Sequence, residues 1–283
     1  MPPHPRPLHP AMENKRPYKY LNRRPAAPAD AAEPNRDVLA GIHAVTEAQR
    51  AGRQLEKVLV DRDLKSNDRI QELYDICRRA RIPVQKVPSQ ALDRLAKGHQ
   101  GVVAYVSAFE YIRLSEALTR VTEQGVFPFI LVLDGVTDVR NAGALARSAE
   151  GAGVQIVVVP MLGTAQLGTE AFKASSGAFE HLYVAREAKL EKTVTWLQEQ
   201  GIKVVAVTEK ANKDIFYADL TGPIALVMGS EEKGISSEVL EAVDLQVKLP
   251  MQGQIESLNV SAAGAVACFE VLRQRAQANQ AAL

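Results

Sequence analysis

Short apolar runs and helically spaced apolar residues alternate along most of this chain, and together they predict an α/β protein. The alternation is most regular after residue 127. Strands are predicted at Phe129–Leu133, Val154–Val159, His181–Val184, Lys203–Val207, Ile224–Met228 and Leu245–Lys248. Helices are predicted between them at Ala142–Glu150, Leu167–Ala174, Leu190–Glu199 and Ser236–Ala242, with a long last helix at Val260–Arg273. Runs such as Ile156–Val159 are apolar throughout, which suits a parallel sheet covered on both faces. In such sheets ligands sit at the carboxyl ends of the strands. Chemistry is therefore expected in the loops after Leu133, Val207, Met228 and Lys248.

A smaller set of elements comes first. The spacing of Leu39, Ile42, Val45 and Ala48 predicts a helix over Val38–Ala51. A strand at Lys57–Val60, a helix at Asp68–Arg79, a strand at Pro83–Val87, a short helix at Gln90–Leu95 and a strand at Val102–Val106 follow. This predicts a small α/β domain over residues 37–110, a partly helical linker over 111–127 and a second domain over 128–283. Residues 1–36 carry neither rhythm.

Composition narrows the class. The chain has 283 residues, 46% of them hydrophobic and 24% charged, which is ordinary globular usage and enough for two domains. The net charge of +1 excludes a wholesale polycation, so any affinity for nucleic acid must be local. Residues 1–36 hold seven Lys or Arg against three acids, and nine of the 15 prolines. They read as a disordered basic arm, either a solvated tail or one that adds affinity for a polyanion. Cys77 and Cys268 are the only cysteines, too few for a disulfide framework or a Cys-cluster zinc site, and no metal is expected. No apolar run nears the ~20 residues that cross a bilayer, and no signal-peptide pattern opens the chain. The expectation is a cytoplasmic protein without a membrane partner.

Three strand-end loops carry unusual residues. Asp134 to Ala144 is a polar loop running into a helix, with Asn141 in it and Arg147 further along. The six residues from Asn141 to Arg147 are nearly two turns, which predicts that the two share one side of the element. Gly229-Ser230-Glu231-Glu232-Lys233-Gly234 follows Met228. Pro250-Met251-Gln252-Gly253 and Ser257-Leu258-Asn259-Val260-Ser261 follow Leu249. Glycine lets a ligand approach the backbone, and free amides at a helix start bind anions. Plainer readings stand beside these. Asn141, Ser257 and Asn259 also suit helix caps, Arg147 a surface salt bridge, and Glu231 a solvated turn. Neither a Gly-x-Gly-x-x-Gly fingerprint after a strand nor a Gly-x-x-x-x-Gly-Lys-[Ser/Thr] loop occurs.

At these loops the sequence resembles the SpoU (TrmH) family of RNA ribose 2′-O-methyltransferases, in the SPOUT class. Asp134–Arg147 (DGVTDVRNAGALAR), Leu226–Ile235 (LVMGSEEKGI) and Leu249–Ser261 (LPMQGQIESLNVS) match its three motifs in order. Gly41-Ile42-His43-Ala44-Val45 and His99-Gln100-Gly101 are similar to the L30e-like substrate-binding domain of the branch that methylates a guanosine in 23S ribosomal RNA. The resemblance covers about residues 38–275 and not the arm.

The resemblance implies a parallel-sheet SPOUT domain with a C-terminal trefoil knot, a homodimer, RNA as partner and S-adenosyl-L-methionine as cofactor. By position it implies that Gly229, Leu249, Met251, Ser257 and Leu258 hold the cofactor. It implies that Asn141, Arg147, Glu231 and Asn259 surround the transferred methyl, with Ser261 close by. Methyl transfer to a ribose hydroxyl rests on positioning and on stabilising developing negative charge. A guanidinium keeps its proton, so Arg147 is expected to meet a phosphate and the 2′-oxyanion, not to act as a base. Transfer RNA is the alternative substrate, and a non-catalytic RNA-binding or ribosome-assembly factor the alternative class. Lys173–Gly177 is read either as an RNA contact or as a glycine-capped helix end. His43 and His99 are read either as RNA contacts or as structural residues, and Trp196 as core.

Overall fold

The computed structural model describes residues 38–50, 52–107, 110–165, 167–255 and 257–281. The basic arm lies outside the described residues. The front sheet holds β1 (Val38–Ala40), β2 (Leu55–Asp61), β3 (Val84–Val87) and β4 (Val102–Val106) in the order β1-β4-β2-β3. β4 runs antiparallel to both neighbours, while β2 and β3 are parallel. Helices α1 (Ile42–Arg50), α2 (Asp68–Arg79) and α3 (Ser89–Asp93) complete this unit.

One expectation is corrected here. Residues 38–51 do not form a single helix. Val38–Ala40 pairs with Val103–Tyr105, and Gly41, at φ +94°, turns the chain into α1. A backbone angle open to glycine stops the helix, and the three residues before it find a strand partner. The predicted α2 matches, started by Asn67, whose side chain accepts from the Ile70 amide.

After α4 (Leu114–Thr122) the second sheet is built from β5 (Phe129–Asp134), β6 (Ile156–Pro160), β7 (Tyr183–Glu187), β8 (Lys203–Val207), β9 (Lys213–Asp214), β10 (Ile224–Gly229) and β11 (Leu245–Lys248). Its order is β7-β6-β5-β10-β8-β11-β9, parallel throughout. Leu131 and Leu133 face one apolar layer with α5 (Val139–Gly151) and α9 (Val260–Ala281). Ile130 and Val132 face the other, with α4 and α7 (Leu190–Glu199). Burial on both faces is why these strands read as unbroken apolar runs. Helices α6 (Thr169–Ala174) and α8 (Ser237–Ala242) are short. Two-residue β9 has no periodicity to find, and β7 begins two residues later than its sequence predicts.

The two units meet at a buried charge. Tyr111 lies beside Val184 as a parallel extension of β7. Arg186 Nη2 stands 2.5 Å from Glu56 Oε2, both side chains almost fully buried, and the guanidinium lies 3.5 Å from the Tyr111 ring centre. The Tyr111 hydroxyl donates to Glu56 at 2.5 Å, and the Leu167 amide donates to its other oxygen at 3.3 Å. Burial first, and Glu56 second, hold the Tyr111 phenol well above its ordinary pKa, so it remains a donor.

Glu56→Ala leaves Arg186 buried without its counter-ion and should cost about 3–5 kcal/mol in urea unfolding, whereas Glu56→Leu with Arg186→Met should recover most of it. Burial pushes the thiols of Cys77 and Cys268 up to about 11 and about 12. Thiolate is therefore scarce at mildly alkaline pH. Both cysteines should resist an aromatic disulfide reagent in the native protein and react at once in denaturant.

Candidate active site

The register of the sheet sets Gly229, the last residue of β10, beside Asp134, the last of β5. A Cβ at residue 229 would stand 2.2 Å from the Gly234 carbonyl carbon and 2.3 Å from the Ile235 nitrogen, so only glycine fits. The chain folds back at once. The Ser230 amide donates to Gly234 O at 3.0 Å and the Gly234 amide to Ser230 O at 2.9 Å. The Ser230 hydroxyl also accepts from the Lys233 amide. This tight turn is fastened to β5 by Ser236, whose amide and hydroxyl both donate to Asp134 Oδ2 at 2.7 Å. The turn presents Glu231 and Glu232 to solvent.

α5 begins at Asp138, whose carboxylate accepts from the Arg140 amide, so Asn141 is not the cap and its side chain is left for other partners. Asn259 precedes α9. Its Oδ1 accepts from the Ser261 amide at 2.9 Å and the Ser261 hydroxyl at 2.6 Å, and its own carbonyl accepts from the Ala263 amide. Its Nδ2 donates to Asn141 Oδ1 at 3.1 Å and to Glu231 Oε1. Asn259 is thus both a helix cap and a hub, with both amide hydrogens committed. Of the two adjacent acids, Glu231 is the one that reaches it.

Arg147 stands apart. Six residues turn a helix through about 600°, which leaves about 120° between Asn141 and Arg147. The expectation that they share one side is corrected accordingly. Arg147 is exposed, with no hydrogen-bond or ion-pair partner among the described residues.

Beside the hub lies a cleft of about 470 Å³ lined by Gly229, Ile235, Leu249, Met251, Ser257 and Leu258. All five residues expected to hold a cofactor line it. Val207, Thr208, Glu209 and Lys210, at the end of β8, close the cleft. The loop after Val207 is flagged by its strand-end position, but none of its residues has a chemical signature in the sequence. Asp134 and Ser236 are likewise missed, because a pair 102 residues apart leaves no local signal.

The front-domain histidines separate. His99 is buried, with Nδ1 accepting from the Gly101 amide at 2.9 Å and Nε2 3.0 Å from Asp93, while His43 is exposed. Ser176 and Gly177 both take positive φ after α6, the geometry of a helix end. Trp196 packs, half-buried, against the layer of α4 and α7.

Two family models match. One, the SpoU rRNA Methylase family, matches residues 128–269, which include the whole cleft. The other, RNA 2′-O ribose methyltransferase substrate binding, matches residues 38–112. The chain belongs to the SpoU rRNA methylase family. It is similar to the 23S rRNA (guanosine-2′-O-)-methyltransferase RlmB of Pseudomonas aeruginosa, 41% identical over 239 residues, covering 83% of this chain and 95% of that one. It is also similar to the TrmH-family protein YacO of Bacillus subtilis, whose name gives both tRNA and rRNA, at 37% identity over 84% of this chain and 96% of that one. Among solved structures, the SpoU methyltransferase AviRb from Streptomyces viridochromogenes, in complex with AdoMet, shares the fold. Its TM-score is 0.54 at 24% identity, covering 85% of this chain and 90% of that one.

SpoU enzymes are methyltransferases of RNA and use S-adenosylmethionine. The cleft fits such a group. Its floor is the bare backbone of Gly229, its sides are the apolar Ile235, Leu249 and Leu258, and its size lies in the usual range of small-molecule sites. Among the described residues no cluster of three or more His, Cys, Asp or Glu is placed to hold a metal. No helix among them is long and apolar enough to cross a membrane.

Gly229→Ala should push the Ser230–Gly234 turn into the cleft. The expected result is a loss of S-adenosylmethionine binding in calorimetry, with about 1–3 kcal/mol of lost stability from overpacking.

Proposed function

We propose that this protein transfers the methyl group of S-adenosyl-L-methionine to the ribose 2′-hydroxyl of a guanosine in 23S ribosomal RNA. The observation that carries the reading is the Asn259 hub, which ties together Asn141 and Glu231 at the mouth of the cleft. A cap alone would need only the Asn259 oxygen. Its nitrogen is spent on two further residues from separate loops, an arrangement that serves a site. The 41% identity to RlmB over both units supports the guanosine of 23S rRNA as substrate.

The roles follow from the donors and acceptors present. Gly229, Leu249 and Leu258 hold the cofactor through their backbone, with Met251 and Ser257 at its rim. The cofactor supplies an electrophilic methyl on sulfonium sulfur. Asn259, itself tied to Asn141, fixes Glu231 by one oxygen, and the other oxygen of Glu231 accepts the 2′-hydroxyl proton. Arg147 meets the target phosphate and the developing oxyanion as a fixed cation.

We also infer a homodimer. Phe269 (49% exposed) and Val266 (41%) project from α9, and Ile255 (74%) from the loop before it, an apolar set that a second copy would cover. A second copy would also offer Arg147 an active site that its own chain does not. On the family likeness we read a trefoil knot in the C-terminal part, an L30e-like domain over 37–110, a linker over 111–127, a catalytic domain over 128–283, and a cytoplasmic location.

The test is transfer of labelled methyl from S-adenosylmethionine to unmodified large-subunit rRNA and, separately, to tRNA, with the product nucleoside identified. The expected product is 2′-O-methylguanosine in rRNA. Asn259→Ala should lower turnover by about 10²–10³-fold while lost capping costs only about 1 kcal/mol. Glu231→Gln should lower turnover by about 10²–10⁴-fold, the usual contribution of a positioned general base. Label in tRNA alone would overturn the substrate, and label in neither would favour a binding factor.

A further inference from the structure

Away from the methyl-transfer cleft, the junction of the two units forms a second groove. Two adjoining hollows, of about 290 Å³ and 480 Å³, share Arg81 and Arg113 in their walls. The front unit contributes Arg79, the last residue of α2, and Arg81, two residues beyond it. The catalytic unit contributes Arg113 before α4, and Lys189 and Lys192 at the start of α7.

Three observations set this groove apart. Its charge is unbalanced. Arg120 is paired with Glu116, Arg81 with Glu187 and Arg186 with Glu56. Arg113, Lys189 and Lys192 are exposed and have no ion-pair partner among the described residues. Its backbone is strained where the units touch. Arg81 is held at φ +54°, a region ordinary residues seldom enter, and from there its guanidinium reaches Glu187 at 2.8 Å and the Arg186 carbonyl at 3.4 Å. Its position is also favourable. Glu187 ends β7, and the groove opens at the carboxyl edge of the sheet, where the catalytic cleft lies. β7 is three places from β10 in the strand order, about 14 Å at the ~4.8 Å spacing of neighbouring strands. Half-buried Trp196 adds a flat apolar wall to the cations.

We propose that this interdomain groove holds the phosphate backbone of the RNA substrate at a point remote from the methylated ribose. Arg113, Lys189 and Lys192 are its phosphate contacts, and Arg81 is the strut that fixes the groove's width. The proposal rests on RNA being the substrate and adds where a second length of that RNA lies. A chain of phosphates suits cations contributed by both units along one edge, and a ribose or base can lie against Trp196. An RNA seated here spans the domain boundary, so its binding depends on the two units staying docked.

The test uses the full chain with Arg113, Lys189 and Lys192 all changed to Gln. Binding of a mixed-sequence single-stranded oligoribonucleotide is followed by fluorescence anisotropy across a salt series. Each lost phosphate contact on a single strand removes about 0.7 from the slope of log K against log salt, so the slope should fall by about 2. KM for large-subunit rRNA should rise with kcat unchanged, and S-adenosylmethionine affinity should stay as in the parent. A variant that keeps the charge, with Arg113→Lys, Lys189→Arg and Lys192→Arg, should retain the parental slope. The comparison variant carries Lys203→Gln and Arg273→Gln, at the opposite edge of the sheet, and should also keep it. An unchanged slope in the triple Gln variant overturns the proposal, as does an equal fall in the comparison variant. The oligonucleotide need not be a substrate. If rRNA is never methylated, the slope still reports on the groove, while the reaction assignment fails separately.

Discussion

There is no room for a side chain at residue 229, and most of the site depends on that crowding. β10 runs between β5 and β8 with all six of its residues buried, and its last residue meets the returning backbone of Gly234 and Ile235 in direct contact. The contact forces an abrupt turn. That turn lifts Glu231 towards the start of α9 and lays bare backbone along the floor of the cleft. Asp134, next to Gly229 in register, then holds the far side of the turn through Ser236. α9 is subject to the same crowding, since a Cβ at Gly264 would come within 2.2 Å of Leu145. α5 and α9 therefore approach closely enough for Asn141 and Asn259 to bond.

Much of this was legible in the sequence. Four of the seven strands of the catalytic sheet, β5, β6, β8 and β10, announce themselves as apolar runs because each is covered on both faces, while β7 and β11 are mixed segments nearer the sheet's edges. The carboxyl-end rule points to the loops that the sheet brings together around the hub and the cleft. The three motif segments identified the members of the hub one by one. Their mutual bonds were not legible, because Asn141 and Asn259 are 118 residues apart and only the sheet order brings them together. Arg147 shows the opposite limit. Spacing along one helix is a local fact, yet six residues fall short of the seven that nearly complete two turns, which leaves Asn141 and Arg147 about 120° apart.

The junction between the two units was the least legible part. Glu56 lies in a strand and Arg186 in another 130 residues later, and each looks like an ordinary solvent-facing charge when read alone. Their burial follows from docking, and docking follows from the segment around Tyr111 extending the sheet beside Val184. A charged pair sealed under an aromatic ring favours this register over any shifted packing that would leave either ion buried alone. The front unit is thereby held as a fixed extension of the catalytic sheet.

The strand order also bears on how the protein is made. Sequence places β8 before β10, yet β10 lies between β5 and β8 in the sheet. While the chain emerges from the ribosome, β5 and β8 both exist as apolar strands before the segment that separates them has been synthesised. Each then presents an open edge, and pairing them directly would be an error that later insertion must undo. The front unit, whose strands all lie within residues 38–106, faces no such wait. Nascent chains of this protein are thus most exposed to mispairing and aggregation in the short interval between the synthesis of Val207 and that of Gly229.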